Sequence, residues 1–509
     1  MSEHAIVKTP AGALRGTVED GLHVFRGVPY AAPPVGELRW RATQPHPGWE
    51  GTRDATRHGP VCPQPVDVPW NALQGTRGRD RRRLDEDCLT LTISAPAAPG
   101  AARPVVVYIH GGGNVIGAGS WDVFSAARLA RHGDVVAVGV NYRFGPFGYL
   151  FTDEDGAGRG NWWLEDQLAA LRWIQDNIAA FGGDPASVTA MGHSGGAASI
   201  ATILGLPESR GLVSRAILMG LPLGFAARSA PDARAATARY LELLGVASVE
   251  EARAVPAGAL VEAEAALTQE LSGWNLWCPG FCNVVDGHRL KRQPLAALAA
   301  GDGAEVDVLV GWTREEYAMS CLTDPSMRTI SRERAIERAQ LTFGDAAEAA
   351  YDDYARSRPG ALPVQVLIDI LSDERYRMGA LDLLEIFEDR GRPGFAYQFD
   401  WQTKVMDGLL GAPHCLEIPF ALDALDAWDD GEMLAGTDTP QRQGLADTMH
   451  RAWIGFIRDG DPQHEQLPSW PRYRAETGTV MRFDAVTQPV ADLVGPWRRA
   501  WTRHGGTQR

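Results

Sequence analysis

Residues 188–196 read VTAMGHSGG. The first four residues form a short apolar run typical of a buried strand, and the small residues from Ala197 onward favour a helix. The pentapeptide between them fits G-x-S-x-G, in which a serine occupies a sharp turn between strand and helix. Glycines on both sides let neighbouring backbone pass closely, and the turn aims the helix N-terminus at a developing oxyanion. The pattern predicts that Ser194 is a nucleophile, with a plain glycine-rich loop as the alternative.

The alternation of apolar runs and helical segments continues on both sides of this turn. Further runs that predict buried strands are residues 104–109, 135–141, 216–219, 306–310 and 395–399. A helical pattern covers residues 164–180 and ends at FGGDP, residues 181–185, which is a strong stop signal. Strands that alternate with helices predict an α/β fold with a mainly parallel sheet covered on both faces. Ligands of such folds bind beyond the carboxyl ends of the strands.

Length and charge narrow the possible functions. The 509 residues suggest about three domains of ordinary size. A net charge of −15 disfavours nucleic acid and anionic membranes as partners. One dense basic run, 77–83, is followed at once by acidic residues, so we interpret it as a solvated mixed-charge loop.

The chain shows no sign of export or of a metal site. Residues 1–4 do not begin a basic and apolar leader, and no uncharged stretch predicts a membrane span. Six cysteines in a chain of this length do not form a disulfide scaffold. No group of His, Cys or Asp has the spacing of metal ligands, and no cofactor is expected. We therefore expect a cytoplasmic protein.

A second glycine-rich motif, HGGG at residues 110–113, directly follows the strand predicted at 104–109. At this position the motif supplies backbone N–H donors beside the nucleophile. Gly112 and Gly113, together with Gly195 after the serine, are the candidate donors of an oxyanion hole. The alternatives are a glycine-rich hairpin or a phosphate-binding loop. The Lys-Ser or Lys-Thr of a phosphate loop does not follow here.

The chain resembles the type-B carboxylesterases, an α/β-hydrolase family that also includes cholinesterases and bile-salt-activated lipases. The similarity extends from about residue 7 to about residue 484. Its motifs include FRGVPYA at 25–31, EDCL at 86–89, NYR at 141–143 and GDP at 460–462. The resemblance implies one α/β-hydrolase domain over residues 1–509, with a central, mostly parallel sheet flanked by helices. Insertions at about 223–283 and 320–392 would then roof the active site.

The resemblance also implies the acid and the base of a Ser-His-Glu triad. Residues 313–317 read TREEY where the family usually has an Asp-Glu-Gly motif, so Glu316 inherits the role of the acid. Glu315 is the alternative acid, and a solvated acidic pair is a third interpretation. Residues 411–420, GAPHCLEIPF, resemble the histidine loop of the family and make His414 the base.

These residues together imply a serine carboxylic-ester hydrolase. Ser194 would attack small to medium neutral esters, and the acyl-enzyme would be released by water that His414 activates. A carbamate or amide hydrolase, or an acyltransferase, built on the same triad is the second interpretation. A non-catalytic binding protein is the third. The expected partner is a small-molecule ester, and the expected state is a monomer or a homodimer.

Several positions depart from the pattern of the family. The pattern usually has Glu at His193, Phe or Tyr at Asn114, and Gly at both Trp163 and Tyr317. Residues 220–222, GLP, stand where Ser-Gly-Ser is common, so one hydroxyl that could support the acid residue is missing. The departures predict a divergent pocket, and they argue against transferring the substrate of any one relative.

Aromatic and cysteine residues leave further questions open. We hypothesise that Trp274, Trp277 or Trp401 lines an aromatic pocket, with ordinary core packing as the alternative. Cys62 and Cys88 occupy positions that form a disulfide in many secreted relatives. A reducing cytoplasm would keep both as thiols.

Overall fold

The computed structural model describes residues 4–66, 73–74, 82–98, 102–153, 158–274, 278–437 and 439–507. Trp277 and most of the basic run 77–83 lie outside these ranges. The described residues form two compact units, each made of three stretches of chain. The first unit lies within Met1–Asp67, Asp80–Ala216 and Ala227–Val306, and the second within Val68–Arg79, Ile217–Ala226 and Asp307–Arg509. The single domain implied by the resemblance stays a prediction.

The strands of the described residues are, in chain order, β1 (His4–Thr9), β2 (Gly12–Glu19), β3 (Leu22–Pro29), β4 (Thr52–Asp54), β5 (Thr90–Pro96), β6 (Arg103–Ile109), β7 (Val136–Val140), β8 (Gly183–His193), β9 (Arg215–Met219), β10 (Arg228–Ser229), β11 (Val284–Val285), β12 (Asp307–Thr313), β13 (Phe395–Phe399), β14 (Val480–Phe483) and β15 (Gln488–Val490). The six strands predicted from apolar runs are β6, β7, β8, β9, β12 and β13, and all six predictions are confirmed.

The α-helices of the described residues are α1 (Ala127–Gly133), α2 (Gly145–Tyr149), α3 (Trp162–Asn177), α4 (Gly195–Leu204), α5 (Ala230–Leu244), α6 (Val249–Ala252), α7 (Ala257–Leu271), α8 (Pro294–Ala300), α9 (Ala318–Leu322), α10 (Arg332–Phe343), α11 (Ala347–Ser357), α12 (Pro363–Ser372), α13 (Met378–Asp389), α14 (Ile418–Ala421), α15 (Pro440–Asp459) and α16 (Gly495–Arg503). A π-helical turn, Asp373–Arg377, joins α12 to α13. The helix predicted at 164–180 is α3, followed by a 3-10 turn at Ile178–Phe181.

The first unit holds strands in the order β1-β2-β3-β5-β7-β6-β8. Strands β7, β6 and β8 are parallel, and β1, β2, β3 and β5 add an antiparallel part that the apolar runs did not predict. The residues of β6 explain its central place, since Val105, Val106 and Val107 are fully buried. β-branched side chains pack well on both faces of a covered parallel strand.

The second unit holds strands in the order β9-β12-β13-β14-β15. Strands β12, β13 and β14 are parallel, and β15 is antiparallel to β14. The parallel register pairs Leu309 with Phe395 and Thr313 with Phe399, so β12 and β13 end side by side. The motif TREEY begins at the carboxyl end of β12, where a parallel sheet presents its functional loops. The predicted α/β class with a mainly parallel sheet is confirmed.

Buried ion pairs explain two motifs of the sequence. Arg143, from NYR, donates to both carboxylate oxygens of Asp166 at 2.8 Å, and the two residues are at most 2% exposed. Arg39 pairs with Glu86, the first residue of EDCL, and also donates to the backbone oxygens of Arg253 and Val255 at 2.8 Å. Both motifs therefore hold the first unit together.

The two predicted insertions are largely helical. Helices α5, α6 and α7 lie in 223–283, and α9 to α13 lie in 320–392 or overlap its start. Serine side chains begin several of them, for example Ser229 at α5, Ser248 at α6 and Ser331 at α10, each of which accepts a backbone N–H of the first turn. That these helices roof the active site stays a prediction. Among the described residues, no helix has both the length and the apolar character needed to cross a membrane.

Candidate active site

Ser194 lies on a strained turn between β8 and α4. Its backbone has φ 55° and ψ −124°, a region that L-residues rarely adopt. The flanking glycines are required by close packing. A Cβ on Gly196 would lie 2.0 Å from the oxygen of Ile109, and a Cβ on Gly192 would lie 2.7 Å from the carbonyl carbon of Gly196. The G-x-S-x-G motif thus forms the strand–turn–helix arrangement expected of a nucleophile.

The HGGG loop packs directly against this turn. A Cβ on Gly111 would lie 2.5 Å from the oxygen of His193 and 2.9 Å from Cβ of Ser194. Gly112 and Gly113 have φ of 118° and 62°, which glycine adopts without strain. A Cβ on Gly195 would lie 3.9 Å from the backbone nitrogen of Gly113. The structure therefore brings the three glycines predicted as oxyanion donors beside Ser194.

His110 supports the HGGG loop from below. Its ring stacks on Tyr142 at 4.5 Å between centroids, and the Tyr142 hydroxyl donates to the oxygen of His110 at 2.8 Å. Nδ1 of His110 lies 2.8 Å from the oxygen of Gly111. Burial lowers the pKa of His110 to about 4, so the ring is neutral at physiological pH. A neutral, stacked ring fixes the start of the glycine loop.

Glu316 and His414 meet inside the second unit. Nδ1 of His414 lies 2.5 Å from Oε2 of Glu316, and Oε1 of Glu316 accepts the backbone N–H of Thr313 at 2.7 Å. Glu316 is 2% exposed and His414 is 8% exposed. The carboxylate at Nδ1 fixes the orientation of the imidazole ring. The structure thus brings together the two residues that the sequence predicts as acid and base.

Glu315 has different contacts from its neighbour. Its carboxylate accepts from Arg358 Nη2 at 2.9 Å and from the backbone N–H of Ala412 at 2.8 Å. Arg358 also donates to Asp369 at 3.0 Å, which joins helices α11 and α12 to the acid loop. Glu315 thus fastens the loop of Glu316 to the loop of His414, whereas the solvated acidic pair is not found.

Glu417 is a further buried carboxyl close to the triad. It is fully buried at the start of α14, three residues after His414. Burial raises the pKa of Glu417 to about 8, and the nearby Glu316 carboxylate acts in the same direction. With its pKa raised, Glu417 is protonated at neutral pH.

Tyr376 is a site residue that sequence reasoning missed. Its ring packs on the imidazole of His414 with 4.9 Å between centroids, and its edge meets Phe225 at 6.3 Å. Tyr376 belongs to the π-helical turn Asp373–Arg377, a distortion that is frequent at functional sites. The segment DERYR reads as ordinary helix, so no sequence signal marked this contact.

The structure shows the surroundings of four positions that depart from the family pattern. Trp163 is buried and stacks on Tyr149 at 5.7 Å. Tyr317 has an ordinary φ of −92°, so no glycine is needed there, and its N–H donates to Ser372 Oγ at 3.1 Å. His193 is buried at the end of β8. Gly220 N–H donates to the oxygen of Gly311 at 2.9 Å.

The remaining aromatic and cysteine residues are also placed. Trp401 packs on Phe420, of the histidine loop, at 5.2 Å, and Trp274 is half-buried. Their part in a substrate pocket stays a hypothesis. Cys62 and Cys88 are buried free thiols. A hydrogen bond between the two side chains, together with burial, raises the pKa of Cys88.

Comparisons with known proteins identify the family of the chain. The Carboxylesterase family matches residues 3–495. "Phenmedipham hydrolase" from Pseudarthrobacter oxydans is 40% identical over 497 residues, which cover 97% of this chain and 98% of that protein. "Para-nitrobenzyl esterase" from Bacillus subtilis (strain 168) is 34% identical and covers 95% of each chain.

Solved structures extend the likeness to the fold. Carboxylesterase EST55 from Geobacillus stearothermophilus superposes with a TM-score of 0.86 at 36% identity, over 97% of this chain and 99% of the other. A PNB esterase superposes with the same TM-score at 32% identity, over 98% of this chain and 99% of the other. The chain therefore belongs to the carboxylesterase family, has the α/β-hydrolase fold and is a hydrolase of the carboxylesterase class.

Proposed function

We propose that this enzyme hydrolyses small to medium neutral carboxylic esters through a Ser194-His414-Glu316 triad and an acyl-enzyme. The observation that carries the proposal is the buried hydrogen bond of 2.5 Å between His414 Nδ1 and Glu316 Oε2. It occurs in the same chain as the strained Ser194 turn with its adjacent glycine loop. The strained backbone of Ser194 costs stability, and the hydrogen bond to Glu316 restricts the motion of His414. Both features are expected where a serine must be made nucleophilic.

The reaction has two steps, acylation of Ser194 and hydrolysis of the acyl-enzyme. Ser194 Oγ attacks the ester carbonyl and gives its proton to Nε2 of His414, while the carbonyl oxygen becomes an oxyanion. The N–H groups of Gly112, Gly113 and Gly195 bind that oxyanion. The protonated imidazole then gives the proton to the leaving alcohol. Water then gives a proton to His414 and attacks the acyl carbon, the bond from that carbon to Ser194 Oγ breaks, and Oγ takes the proton back from His414 as the carboxylic acid leaves.

Glu316 stabilises the imidazolium form of His414, which exists between these two proton transfers. One carboxylate oxygen faces Nδ1 of His414, and the other is held by Thr313 N–H. A carboxylate fixed in this way selects the tautomer with the proton on Nδ1 and stabilises the positive ring.

The proposal also includes what surrounds the site. The partner is a small-molecule ester, and the net charge of −15 favours this over nucleic acid. Helices of the two insertions would form the roof of the pocket and select the substrate. The cytoplasmic location and the monomeric or homodimeric state stay predictions.

The substitution Ser194→Ala tests the nucleophile. Turnover of p-nitrophenyl acetate and butyrate should fall by at least about 10³-fold, while circular dichroism and the melting temperature stay near those of the wild type. Ser357→Ala is the matched control, since its hydroxyl only bonds the Asp353 backbone oxygen within α11. A fluorophosphonate probe should label the control and the wild type but not Ser194→Ala. Wild-type rates in Ser194→Ala would overturn the proposal.

A carbamate hydrolase is the second candidate. The relative with 40% identity is named for the hydrolysis of phenmedipham, which is a carbamate. Carbamates can react through the same serine and the same oxyanion hole. Rates on a series of aryl esters, aryl carbamates and anilides would rank the two candidates. Cleavage of the esters alone would remove the second.

A further inference from the structure

The Asn114 side chain lies at the edge of the oxyanion loop. It follows the last glycine of HGGG, has φ 67°, and its backbone oxygen accepts the N–H of Gly145 at 2.7 Å. A Cβ on Gly195 would lie 3.2 Å from Asn114 Oδ1 and 3.8 Å from Asn114 N. The side-chain carbonyl of Asn114 is thus next to one of the three proposed oxyanion donors.

A buried row of hydroxyl groups orients this carbonyl. The Tyr149 hydroxyl donates to Asn114 Oδ1 at 3.0 Å, and the Ser199 hydroxyl in turn hydrogen-bonds to Tyr149. Tyr149 is 1% exposed and Ser199 is 2% exposed. Ser199 lies on α4, the helix that begins directly after Ser194. The amide is therefore locked to the same rigid element as the nucleophile.

A carbonyl oxygen has two acceptor positions, and within the part of the chain that the structure describes Tyr149 occupies one of them. The second can serve a donor that is bound next to Gly195. An ester has no hydrogen-bond donor beside its carbonyl carbon. A carbamate that carries one substituent on nitrogen has an N–H there, on the acyl side. A site that hydrogen-bonds such a group discriminates more strongly than apolar contact does.

We propose that Asn114 Oδ1 accepts the N–H of N-monosubstituted carbamates and makes them a substrate class of this enzyme. The inference rests on the proposed function, because it uses the same nucleophile. Ser194 Oγ forms a bond to the carbamate carbon, the bond to the leaving phenol or alcohol breaks, and the leaving oxygen takes the proton from His414. Water then cleaves the carbamoyl-enzyme, and the carbamic acid released decomposes to amine and CO₂.

Three p-nitrophenyl substrates of nearly equal size test the proposal: the N-methylcarbamate, the N,N-dimethylcarbamate and the propionate. The wild type should have a higher kcat/KM for the N-methylcarbamate than for the N,N-dimethylcarbamate, after subtraction of uncatalysed release. Asn114→Gly removes the amide and tolerates the positive φ. It should lower the ratio of kcat/KM for N-methylcarbamate to that for propionate about 10-fold, the size of effect expected for one hydrogen bond.

Further variants keep the outcome interpretable. Tyr149→Phe removes the hydroxyl that orients the amide and should shift the same ratio in the same direction by a smaller factor. Ser357→Ala should leave the ratio at its wild-type value. If Asn114→Gly lowers the rates for all three substrates equally, or if the N,N-dimethylcarbamate is cleaved as fast as the N-methylcarbamate, the role of Asn114 is refuted. Loss of the proposed function would be visible separately, as propionate turnover that survives in Ser194→Ala.

Discussion

Glu315 and Ala412 are joined by two hydrogen bonds in opposite directions. The N–H of Glu315 donates to the oxygen of Ala412 at 3.0 Å, and the N–H of Ala412 donates to Glu315 Oε2 at 2.8 Å. Gly411 has φ 64°, and a Cβ there would lie 2.6 Å from Cδ of Glu315. The acid loop and the histidine loop are therefore fixed to each other one residue before Glu316 and two residues before His414.

This arrangement predicts different effects for two neighbouring carboxyls. Glu316→Gln should lower kcat for p-nitrophenyl acetate by about 10³- to 10⁴-fold, because an amide cannot stabilise the imidazolium. Glu315→Gln should lower kcat only about 10-fold, because it loosens the loop without facing the ring. Steady-state kinetics on both variants, with circular dichroism as a check of folding, measures the difference. A larger loss in Glu315→Gln would move the acid role to Glu315.

The ring of Tyr376 should matter more than its hydroxyl. Tyr376→Phe keeps the tilted ring contact with His414, 4.9 Å between centroids, and should retain kcat within about 3-fold. Tyr376→Ala removes the ring and frees the imidazole, and we expect kcat to fall about 10-fold with a smaller change in KM. The pH profile of kcat/KM should shift in the Ala variant alone. Equal rates in the Phe and Ala variants would show that the ring of Tyr376 does not position His414.

Glu417 should make stability depend on pH. Its pKa is raised to about 8 in the folded protein, so the folded state holds a proton that the unfolded state has already lost above a pH of about 4.5. Stability conferred by this group is therefore lost as the pH rises from about 4.5 to about 8, and stays lost above that. Glu417→Gln lacks the titration.

Melting curves of wild type and Glu417→Gln between pH 5 and pH 9 measure this effect. The variant should gain stability relative to the wild type up to a pH of about 8 and then run parallel to it. Titrating groups distant from Glu417 are unaffected by the substitution, so they cancel in the difference. A difference that is flat across this range would mean that Glu417 ionises normally.

The buried ion pair of Arg143 and Asp166 should be far more important than a surface pair. Asp166→Asn leaves a buried guanidinium without its counter-charge, and we expect the free energy of unfolding to drop by about 3–5 kcal/mol. Glu337 pairs with Arg334 on α10, with both side chains 54% exposed, so Glu337→Gln should cost less than about 0.5 kcal/mol. Urea unfolding of both variants tests the contrast, and similar midpoints would contradict it.

Local signals explain why much of the fold was predictable. Residues 104–109 of strand β6 form an apolar run, and its three consecutive valines are typical of a strand covered on both faces. The glycines around Ser194 are equally informative, because the approach of Ile109 and Gly196 leaves no room for a side chain. A sequence pattern predicts the local structure well where a single residue type fits the local geometry.

Other parts of the protein depend on contacts that the sequence does not announce. The exposed residues of β1, His4, Ile6 and Lys8, share one face of the strand. Because Ile6 is apolar and yet 63% exposed, the sequence lacks the apolar and polar alternation that predicts a strand. Tyr376 reaches His414 only because a π-helical turn redirects the helix. The contacts of Glu315 differ from those of Glu316 because Arg358 donates a hydrogen bond to Glu315. Arg358 belongs to the insertion at about 320–392, and no sequence motif predicted how that insertion packs.

The interleaving of the two units has a consequence for biosynthesis. Strand β9 contributes Ile217, Leu218 and Met219, all fully buried, and within the second unit it pairs with β12. Ribosomes make about 5–20 residues per second, so the roughly 90 residues between these strands take on the order of 5–20 s to emerge. Throughout that interval, the edge of β9 that pairs with β12 lacks its partner strand. We therefore expect lower growth temperatures and co-expression of holdase chaperones to raise the soluble yield of this enzyme more than substitutions of its surface residues would.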